Sequence, residues 1–431
     1  MSTPATVSTP ATTATAATTA TAATATAAPV VTGLAVLAPN GFGTEAFWAA
    51  TLAGRHGIGE LTRLDTTGLR TRLAGEIRDF DATALLPGRL LPQTDVSSRY
   101  ALVAAEQALA DAELDPDSLS DYAQGVCTST AQGGFEFTHR EFRKLWKQGP
   151  EFVSVYESFA WFYAVNTGQI SIRHKMRGPS AALVGEQAGG LDALGHARRG
   201  IRQGTALMLS GGVDSAFDPW GWAAQLSGGR TSPVSDPTRA FLPFDRDASG
   251  HLPGEGGAML VIEDAGSAAR RGAPRVLGEL AGYAATFDPR PGSGRPPGLR
   301  RAAELAIADA GLLPSDIDVV FADAAGSPAA DRAEAEAITA VFGPHGVPVT
   351  APKSLFGRLA AGGGPVDTAL ALLSIRDGVV PATAHTTHVP QEYGLDLVRG
   401  EARPLRVRAA LVLARGHRGF NAALVVTAPG R

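Results

Sequence analysis

Cysteine is almost absent from this sequence of 431 residues, in which Cys127 is the only one. A single thiol excludes a disulfide framework, and it excludes any metal site built from several thiolates. Such sparse cysteine usage suits a reducing compartment, so we expect a cytoplasmic protein.

Three further features are missing. The formal net charge is -4 rather than strongly positive, so we expect no nucleic-acid partner. No apolar run approaches the roughly 18 residues that a membrane helix requires, so we expect no membrane partner. The first 28 residues are almost pure Ala and Thr, and no Lys or Arg precedes Arg55, which excludes a secretory or Arg-rich transit peptide. We predict that residues 1–28 form a disordered, low-complexity extension.

Short runs rich in Val, Leu and Ala predict strands throughout the rest of the chain. These runs are Val30–Ala38, Gln124–Ser129, Ala181–Gly185, Ala206–Leu209, Ala258–Ile262, Val319–Ala322, Val347–Thr350, Ala409–Ala414 and Ala422–Val426. Segments with helical periodicity alternate with them: Ser98–Leu114, Gly189–Arg202, Gly298–Gly311 and Val366–Arg376. Because several strand runs are continuously apolar, we expect an α/β protein whose sheets are covered on both faces.

The chain also repeats itself. An Ala-rich helix that ends in ADA-x-L, a Pro-containing turn and a strand follow Arg99, and the same pattern follows Arg300. A second pair consists of a strand-to-helix turn at Gln187 and the segment KSLFGRLAAGGGPVDTALALL from Lys353. The repeat predicts two halves of one architecture, 29–264 and 265–431, with the boundary in the polar stretch near Asp264–Pro274.

The turn at Gln187 lies in the sequence VGEQAGGLDALGHA, an apolar strand, a Gly-containing bend and a helix. Bends of this kind often carry an enzyme's nucleophile, because the first helical N–H groups and the positive end of the helix dipole point at it. Glutamine has no nucleophilic group. The bend therefore has the form of a catalytic site without the residue that would react.

These features resemble the ketosynthase branch of the thiolase superfamily, from Val30 to Val426. That family carries an active-site Cys in the pattern Cys-x-x-Gly-Leu-Asp, and here Gln187 to Asp192 keep the pattern without the Cys. PFDRDASGHLPGEGGAMLVIE and RGHRGFNAALVV are similar to two further family segments. The resemblance implies a thiolase-like, duplicated five-layer α/β/α/β/α fold.

Both histidines that an active ketosynthase requires are also replaced. The resemblance places Ala325 where one histidine normally follows Ala, in the run Ala324 to Ser327. It places Arg358 where the other normally ends the pattern Lys-Ser-x-x-Gly-His, whose Lys353 is retained. Histidines at these positions would hydrogen-bond a developing enolate oxygen. The nucleophile and both histidines are absent together, while the scaffold is kept.

This triple replacement resembles the chain-length factor, or ketosynthase beta subunit, of bacterial type II polyketide synthases. ESFAWFYAVNTGQISIRH, GEQAGGLDALGHARR and GGVDSAFDPWGW are similar to that subgroup. The resemblance implies a heterodimer with a catalytically complete ketosynthase alpha subunit, and an acyl carrier protein that bears malonyl and polyketide chains. It implies no cofactor. The alpha subunit's Cys would form the carbon–carbon bonds.

Two roles for Gln187 remain open at this point. Its amide could polarise a malonyl thioester and decarboxylate it to the acetyl primer, as proposed for this position in the family. It could instead fill the vacated thiol pocket and satisfy nearby polar groups. The first role makes the chain a malonyl-carrier-protein decarboxylase. A self-sufficient homodimeric condensing enzyme is disfavoured, since no Cys stands at the bend.

The segment FEFTHREFRKLW, Phe135–Trp146, predicts a helix on which Phe135, Thr138 and Phe142 share one face. Alone, such a face is most often ordinary core. By resemblance, these three residues and Trp220 gate the end of the tunnel that receives the growing chain. Large aromatic gates imply an early stop, at about eight two-carbon units by analogy with the family.

The remaining chemistry-bearing residues carry no predicted site. Cys127 has no histidine at a recognisable partner position and is expected to be a packed thiol. His385 and His388 have metal-like spacing only on a helix, whereas PATAHTTHVP predicts a loop. Asp245 and Asp247 are expected to serve a turn or a salt bridge. We predict no metal site.

Overall fold

The computed structural model describes residues 27–290 and 292–431, so residues 1–26 of the expected disordered extension lie outside the described residues. The described strands are β1 Pro29–Ala38, β2 Gly41–Phe42, β3 Ile58–Glu60, β4 Leu73–Gly75, β5 Gln124–Ser129, β6 Ser180–Leu183, β7 Leu207–Asp214, β8 Gly256–Asp264, β9 Gly278–Phe287, β10 Val319–Phe321, β11 Pro348–Thr350, β12 Val379–Val380, β13 Asp396–Leu397, β14 Arg403–Pro404, β15 Ala409–Arg415 and β16 Phe420–Thr427.

The helices within the same residues alternate with these strands, as an α/β protein requires. They are α1 Thr44–Leu52, α2 Ala82–Leu85, α3 Val96–Asp111, α4 Phe135–Lys147, α5 Glu157–Ala160, α6 Val165–His174, α7 Gly189–Arg202, α8 Pro219–Ser227, α9 Ala265–Arg271, α10 Leu299–Asp309, α11 Pro328–Phe342 and α12 Gly363–Asp377. No helix in the part of the chain that the structure describes is both long enough and apolar enough to cross a bilayer.

One strand order occurs twice in the large sheet. The first half has the order β6-β5-β7-β8-β1, and the second half has the order β11-β10-β15-β16-β9. In each half three strands are parallel to one another, and the two strands nearest the centre of the large sheet are antiparallel to their neighbours. An antiparallel contact between β1 and β9 joins the halves, at Val30 and Glu279. The second half adds β13 at its outer edge.

The repeated ADA-x-L sequence has the same structural role in both halves. The carboxylate of Asp111 at the end of α3 accepts a hydrogen bond from the Leu34 N–H of β1 at 3.0 Å. The carboxylate of Asp309 at the end of α10 accepts one from the Tyr283 N–H of β9 at 2.9 Å. These N–H groups are free for the helix because the pairing of each strand is irregular just before them. The repeat therefore fixes α3 to β1 and α10 to β9, which are the first strands of the two halves.

Helices lie between the halves and outside them. α7 contacts α12, and side chains of both helices share one apolar core with the two halves of the sheet. α3 packs on the outer face of the first half, in a second apolar core. α10 and α11 pack on the outer face of the second half, in a third. The expected five-layer thiolase-like fold is confirmed by these layers.

Several short elements were not predicted, and the longest strand and helix that were missed are β9 and α11. β9 and α11 are absent from the strands and helices expected above, although β9 has ten residues and pairs with both β1 and β16. Its sequence GELAGYAATF contains small residues because α10 lies close against it. A Cβ on Gly282 would stand 2.1 Å from the Ala306 carbonyl oxygen. Because α10 packs this closely, β9 carries small residues where β-branched side chains would normally indicate a strand.

Candidate functional site

Gln187 occupies the bend between β6 and α7, and its amide is fully engaged. With the amide oriented to satisfy both partners, its nitrogen donates to the Ala360 carbonyl oxygen at 3.0 Å and its oxygen accepts from the Ala360 N–H at 3.1 Å. The preceding residue, Glu186, has a left-handed backbone with φ 52°, and Ala360 has φ 49°. The Gln187 side chain thus binds the backbone of Ala360, which lies in the corresponding bend of the second half.

The two bends approach one another closely because glycines begin both central helices. A Cβ on Gly190 of α7 would stand 2.2 Å from the Ala361 carbonyl oxygen. A Cβ on Gly364 of α12 would stand 2.8 Å from the Leu191 side chain. Any larger residue would force the helices apart, and the bond between Gln187 and Ala360 would be lost. The glycines that remain from the catalytic pattern therefore serve the packing of the two halves.

Arg358 stands in the interior, with 8% of its surface exposed. Its guanidinium donates to both carboxylate oxygens of Asp323, at 2.9 and 3.1 Å, and to the carbonyl oxygens of Asp323 and Ala324. Burial opposes its charge most strongly, but Asp323, Glu186 and Glu334 together outweigh burial and raise the pKa of Arg358 above its ordinary value. An arginine remains protonated and has no acceptor. Arg358 therefore cannot exchange a proton as the family histidine does.

Ala325 lies in a tightly constrained turn. Its neighbours Ala324 and Gly326 have left-handed backbones, with φ 49° and 69°, and the Gly326 N–H donates to Asp331 at 2.9 Å. Ala325 and Arg358 line one cavity of about 640 Å³. A methyl group offers neither a proton nor a hydrogen bond to a ligand there. Neither position of the former histidine pair can supply acid–base chemistry.

The retained Lys353 is also committed within the protein. Its ammonium group donates to the Asp367 carboxylate of α12 at 2.7 Å and to the Ala322 carbonyl oxygen. Both side chains of this ion pair are buried. Burial raises the pKa of Asp367, and the adjacent Lys353 counteracts that rise. Lys353 joins the end of β10 to α12, so its contacts are those of a structural brace.

A second cavity, within the size range of small-ligand sites, brings the first bend and the predicted gate together. Its volume is about 460 Å³, and Gln187, Ala360, Arg358 and Phe135 line it. Arg358 also lines the cavity that contains Ala325. The structure thus places Gln187 and Arg358 beside the first gate residue, and it places Ala325 in the adjoining space.

The predicted gate helix is α4, and its aromatic side chains form a cluster with α8. The Phe135 and Trp220 ring centroids lie 5.4 Å apart, and those of Phe142 and Trp220 lie 5.8 Å apart. Trp146 extends the row, with its ring 5.2 Å from that of Phe142. Trp220 is 44% exposed and Trp146 is 76% exposed, so these four residues, the aromatic cluster, are not ordinary core.

Thr138 is buried, unlike the residues of the aromatic cluster, and it does not belong to that cluster. It lies with Phe137 and Glu141 on the face of α4 that packs against the protein. The Phe137 N–H donates to Asp95 at 2.8 Å, and Glu141 accepts from the Ser154 N–H at 2.9 Å. These two contacts fix the rotation of α4. The three positions predicted to share one face therefore divide into one buried threonine and two partly exposed phenylalanines.

Sequence reasoning missed Asp214, which connects the loop before the predicted gate helix α4 to the bend at Ala360. Its buried carboxylate accepts from the N–H groups of Ala131 and Gln132, in the loop that leads to α4, at 2.9 and 3.1 Å. It also accepts from the Ala361 N–H at 2.9 Å, next to the residue that Gln187 holds. The segment GGVDSAFDPWGW contains Asp214, but nothing in its pattern indicates these distant partners.

Other chemistry-bearing residues agree with the modest roles expected for them. Cys127 is fully buried in β5, and burial raises the pKa of its thiol to about 12. His385 and His388 lie in a loop. Asp245 accepts from the His388 N–H at 2.9 Å, and Asp247 pairs with an arginine side chain. Asp245, Asp247 and His388 are close enough to share a cation, but no further observation points to one.

The comparisons with known proteins agree with this geometry. The family described as beta-ketoacyl synthase, N-terminal domain, matches residues 28–268, and beta-ketoacyl synthase, C-terminal domain, matches residues 277–387. The chain is 63% identical to the actinorhodin polyketide beta-ketoacyl synthase 2 of Streptomyces coelicolor, over 92% of this chain and 97% of that protein. It is 59% identical to the tetracenomycin polyketide synthase ketoacyl synthase beta subunit of Streptomyces glaucescens, over 93% and 98%.

A solved structure supports the same assignment. The ishigamide ketosynthase/chain length factor superposes with a TM-score of 0.87 at 27% identity, covering 94% of this chain and all of that one. The fold, the replaced catalytic positions and the beta-subunit relatives converge on one branch. The chain belongs to the beta-ketoacyl synthase family, among the ketosynthase beta subunits, or chain-length factors, of type II polyketide synthases.

Proposed function

We propose that this chain pairs with a ketosynthase alpha subunit and sets the length of an aromatic polyketide by shaping the tunnel in which the chain grows. One observation carries the proposal. The catalytic positions are closed by internal contacts, whereas the aromatic cluster beside them stays partly exposed. A rigid aromatic surface can limit the length of a growing chain by occupying the space ahead of it, without taking part in a reaction.

The surface around the aromatic cluster supports a large interface with a partner protein. Large apolar side chains are exposed on or near α4, α5, α6 and β6: Trp146, Phe152, Val155, Trp161, Phe162, Ile172 and Val184. β6 is an edge strand of the large sheet. Exposed apolar area and an unpaired strand edge are typical of an interface. We infer an obligate heterodimer that buries roughly 2,000 Å² or more.

The alpha subunit supplies the condensing cysteine, and an acyl carrier protein presents malonyl units and the growing polyketide to it. We infer no cofactor and no nucleic-acid or membrane partner for this chain, and we place the complex in the cytoplasm. Residues 29–264 and 265–431 remain our proposed bounds for the two ketosynthase-like halves.

The alternative, a malonyl-carrier-protein decarboxylase that acts through Gln187, is disfavoured by the contacts of the site. The amide that would polarise a thioester already bonds both backbone polar groups of Ala360. The neighbouring Arg358 is held by Asp323, and Ala325 has no polar side-chain atom. A thioester oxygen would have to displace buried hydrogen bonds to reach either polar group.

Co-expression with a ketosynthase alpha subunit and product analysis tests the proposed function. We expect a heterodimer that makes products of one dominant length, and we expect the double variant Phe135→Ala, Phe142→Ala to make longer ones. The reason is that removing two rings opens the volume beyond the aromatic cluster. The measurement is the mass distribution of released polyketides at equal amounts of purified heterodimer.

A matched control removes two aromatic rings elsewhere. Phe287 and Phe420 form an exposed edge-to-face pair, with centroids 5.1 Å apart, in the second half. Their double alanine variant should leave product length unchanged. An unchanged length distribution for the Phe135 and Phe142 double variant, in an intact heterodimer, would remove the aromatic cluster from the control of chain length.

A further inference from the structure

One polar contact joins the two helices that carry the aromatic cluster. The Nδ1 atom of His139 on α4 lies 2.8 Å from a carboxylate oxygen of Asp218, which precedes α8. The Asp218 side chain is buried, and the His139 side chain is about a quarter exposed. The imidazole nitrogen and the carboxylate oxygen form a short polar contact. This contact lies beside the ring contacts of the same two helices.

The same carboxylate organises the first turn of α8. One oxygen of Asp218 accepts from the Trp220 N–H at 2.9 Å, and the other accepts from the Gly221 N–H at 3.1 Å. The oxygen that receives the Trp220 N–H also faces His139. Asp218 is thus the N-cap of α8, and it also contacts His139 of α4. Through it, His139 is linked to the backbone of Trp220.

His139 lies on the same face of α4 as the predicted gate residues Phe135 and Phe142. His139 follows Phe135 by four residues and precedes Phe142 by three, so the three side chains lie along one face of the helix. Both phenylalanine rings contact the Trp220 ring. The polar link and the ring contacts therefore join the same two helix surfaces.

The other tryptophan of α8, Trp222, is held by the core, whereas Trp220 is not. Trp222 is buried against Phe217, with ring centroids 5.6 Å apart, and anchors the inner face of the helix. Trp220 lies on the exposed side, where its ring contacts Phe135 and Phe142. The fixed first turn holds the Trp220 backbone in place beneath this ring.

We propose that His139 and Asp218 are positioning residues that hold Trp220 against Phe135 and Phe142, and so set the width at which the tunnel is closed. This inference rests on the proposed function, because it names the residues that fix the gate rather than those that form it. His139 and Asp218 touch no reacting atom. They determine product length only through the position of Trp220.

Three variants in the heterodimer separate this role from general stability. His139→Leu removes the polar partner of Asp218 at similar volume, and Asp218→Asn retains a good N-cap while it loses the carboxylate that faces His139. His139→Asn restores a polar group near the Nδ1 position. We expect the first two variants to raise the ratio of longer to native-length products about threefold to tenfold, the range that corresponds to the loss of one ordinary polar contact. His139→Asn should stay close to the native ratio.

A double variant tests whether the effect passes through Trp220. In a Trp220→Ala background, His139→Leu should change the product ratio no further, since the side chain being positioned is gone. A 5-fluorotryptophan resonance assigned to Trp220 should broaden or shift in His139→Leu and not in His139→Asn. An equal further change in the Trp220→Ala background would overturn the inference, and so would an unshifted resonance together with a native product ratio.

The outcome also distinguishes this inference from the proposed function. If the Phe135 and Phe142 double variant lengthens the product and His139→Leu does not, the gate stands and the positioning pair is wrong. If neither changes product length in an intact heterodimer, the proposed function itself fails. Thermal melting of every heterodimer identifies any variant whose change reflects loss of fold.

Discussion

The former catalytic centre and the aromatic cluster meet at one cavity, which Gln187, Arg358 and Phe135 line, but they differ in how their side chains are used. At the centre, Gln187, Arg358 and Lys353 each find their partners inside the protein. In the aromatic cluster, Phe142 and Trp220 contact each other and still present surface to the outside. The polar site has become part of the interior, while the apolar site has stayed open.

This difference indicates where function remains in a ketosynthase fold that has lost its nucleophile. Buried polar groups must be satisfied, and once the catalytic groups are gone only internal partners can satisfy them. An exposed row of aromatic rings has no such internal partner and gains from contact with another protein or an apolar chain. The closed centre therefore contributes to stability, and the open aromatic cluster is the region on which the proposed function depends.

The largest effect is expected from breaking the buried ion pair of the closed centre. Arg358→Met leaves the Asp323 carboxylate, 4% exposed, without its guanidinium. An uncompensated buried charge costs about 3–5 kcal/mol, so we expect a large fall in the unfolding midpoint and in the yield of heterodimer. Thermal melting and size-exclusion chromatography measure both quantities.

An exposed ion pair provides the matched control for that experiment. Arg230 pairs with Glu186 at 3.3 Å near the same cavity, but its side chain is 46% exposed. Arg230→Met should cost no more than about 1 kcal/mol, because water screens such a pair. Equal stability losses for Arg230→Met and Arg358→Met would contradict the view that the centre has been closed by a buried charge network.

An intermediate effect is expected at Asp214, where the two regions meet. In Asp214→Asn an amide NH₂ group replaces one acceptor oxygen and faces the N–H groups of Ala131, Gln132 or Ala361. Leaving a buried donor unsatisfied costs about 1–3 kcal/mol. We expect a lower melting temperature together with altered product length, since the loop before α4 loses its attachment.

The exposed Asp236 serves as a comparison, because it accepts similar hydrogen bonds from Thr238 at the surface. Asp236→Asn should leave both the melting temperature and the product length near their native values, because water can satisfy whatever bond is lost. A native melting temperature for Asp214→Asn would show that the two regions are not coupled through this carboxylate.

Much of this arrangement could be predicted from the sequence, and its limits have physical reasons. β5 and α7 were predicted with the bounds that the structure has, because a continuous apolar run and a strong helical period indicate them locally. β9 was missed because close packing of α10 demands small residues there. The contacts of Asp214 join segments more than 80 residues apart, and no local pattern encodes such a distance.

For the predicted gate residues as well, the sequence indicated local neighbours but not tertiary contacts. The spacing of Phe135 and Phe142 predicts a shared helix face, and the structure places both rings against Trp220. The burial of Thr138 could not be foreseen, because it depends on the contacts that fix the rotation of α4 through Phe137 and Glu141. Helical periodicity defines which residues are neighbours, but tertiary contacts define which of them face outward.

The smallest effect is expected from Gln187→Ala, which separates the two roles that the sequence left open. If Gln187 only holds the Ala360 backbone, its loss should cost about 1 kcal/mol of stability, because the cavity that both residues line leaves room for water to replace the two hydrogen bonds. The rate of polyketide synthesis should then stay within about twofold of native. The assay supplies the heterodimer with malonyl carrier protein alone, or with an added acetyl primer, and follows carbon dioxide release and product formation. A decarboxylase role predicts instead that synthesis from malonyl units alone collapses and that the acetyl primer restores it. Such a rescue would show that the centre is not closed, because its amide would then have to leave Ala360 and bind a thioester during each priming event.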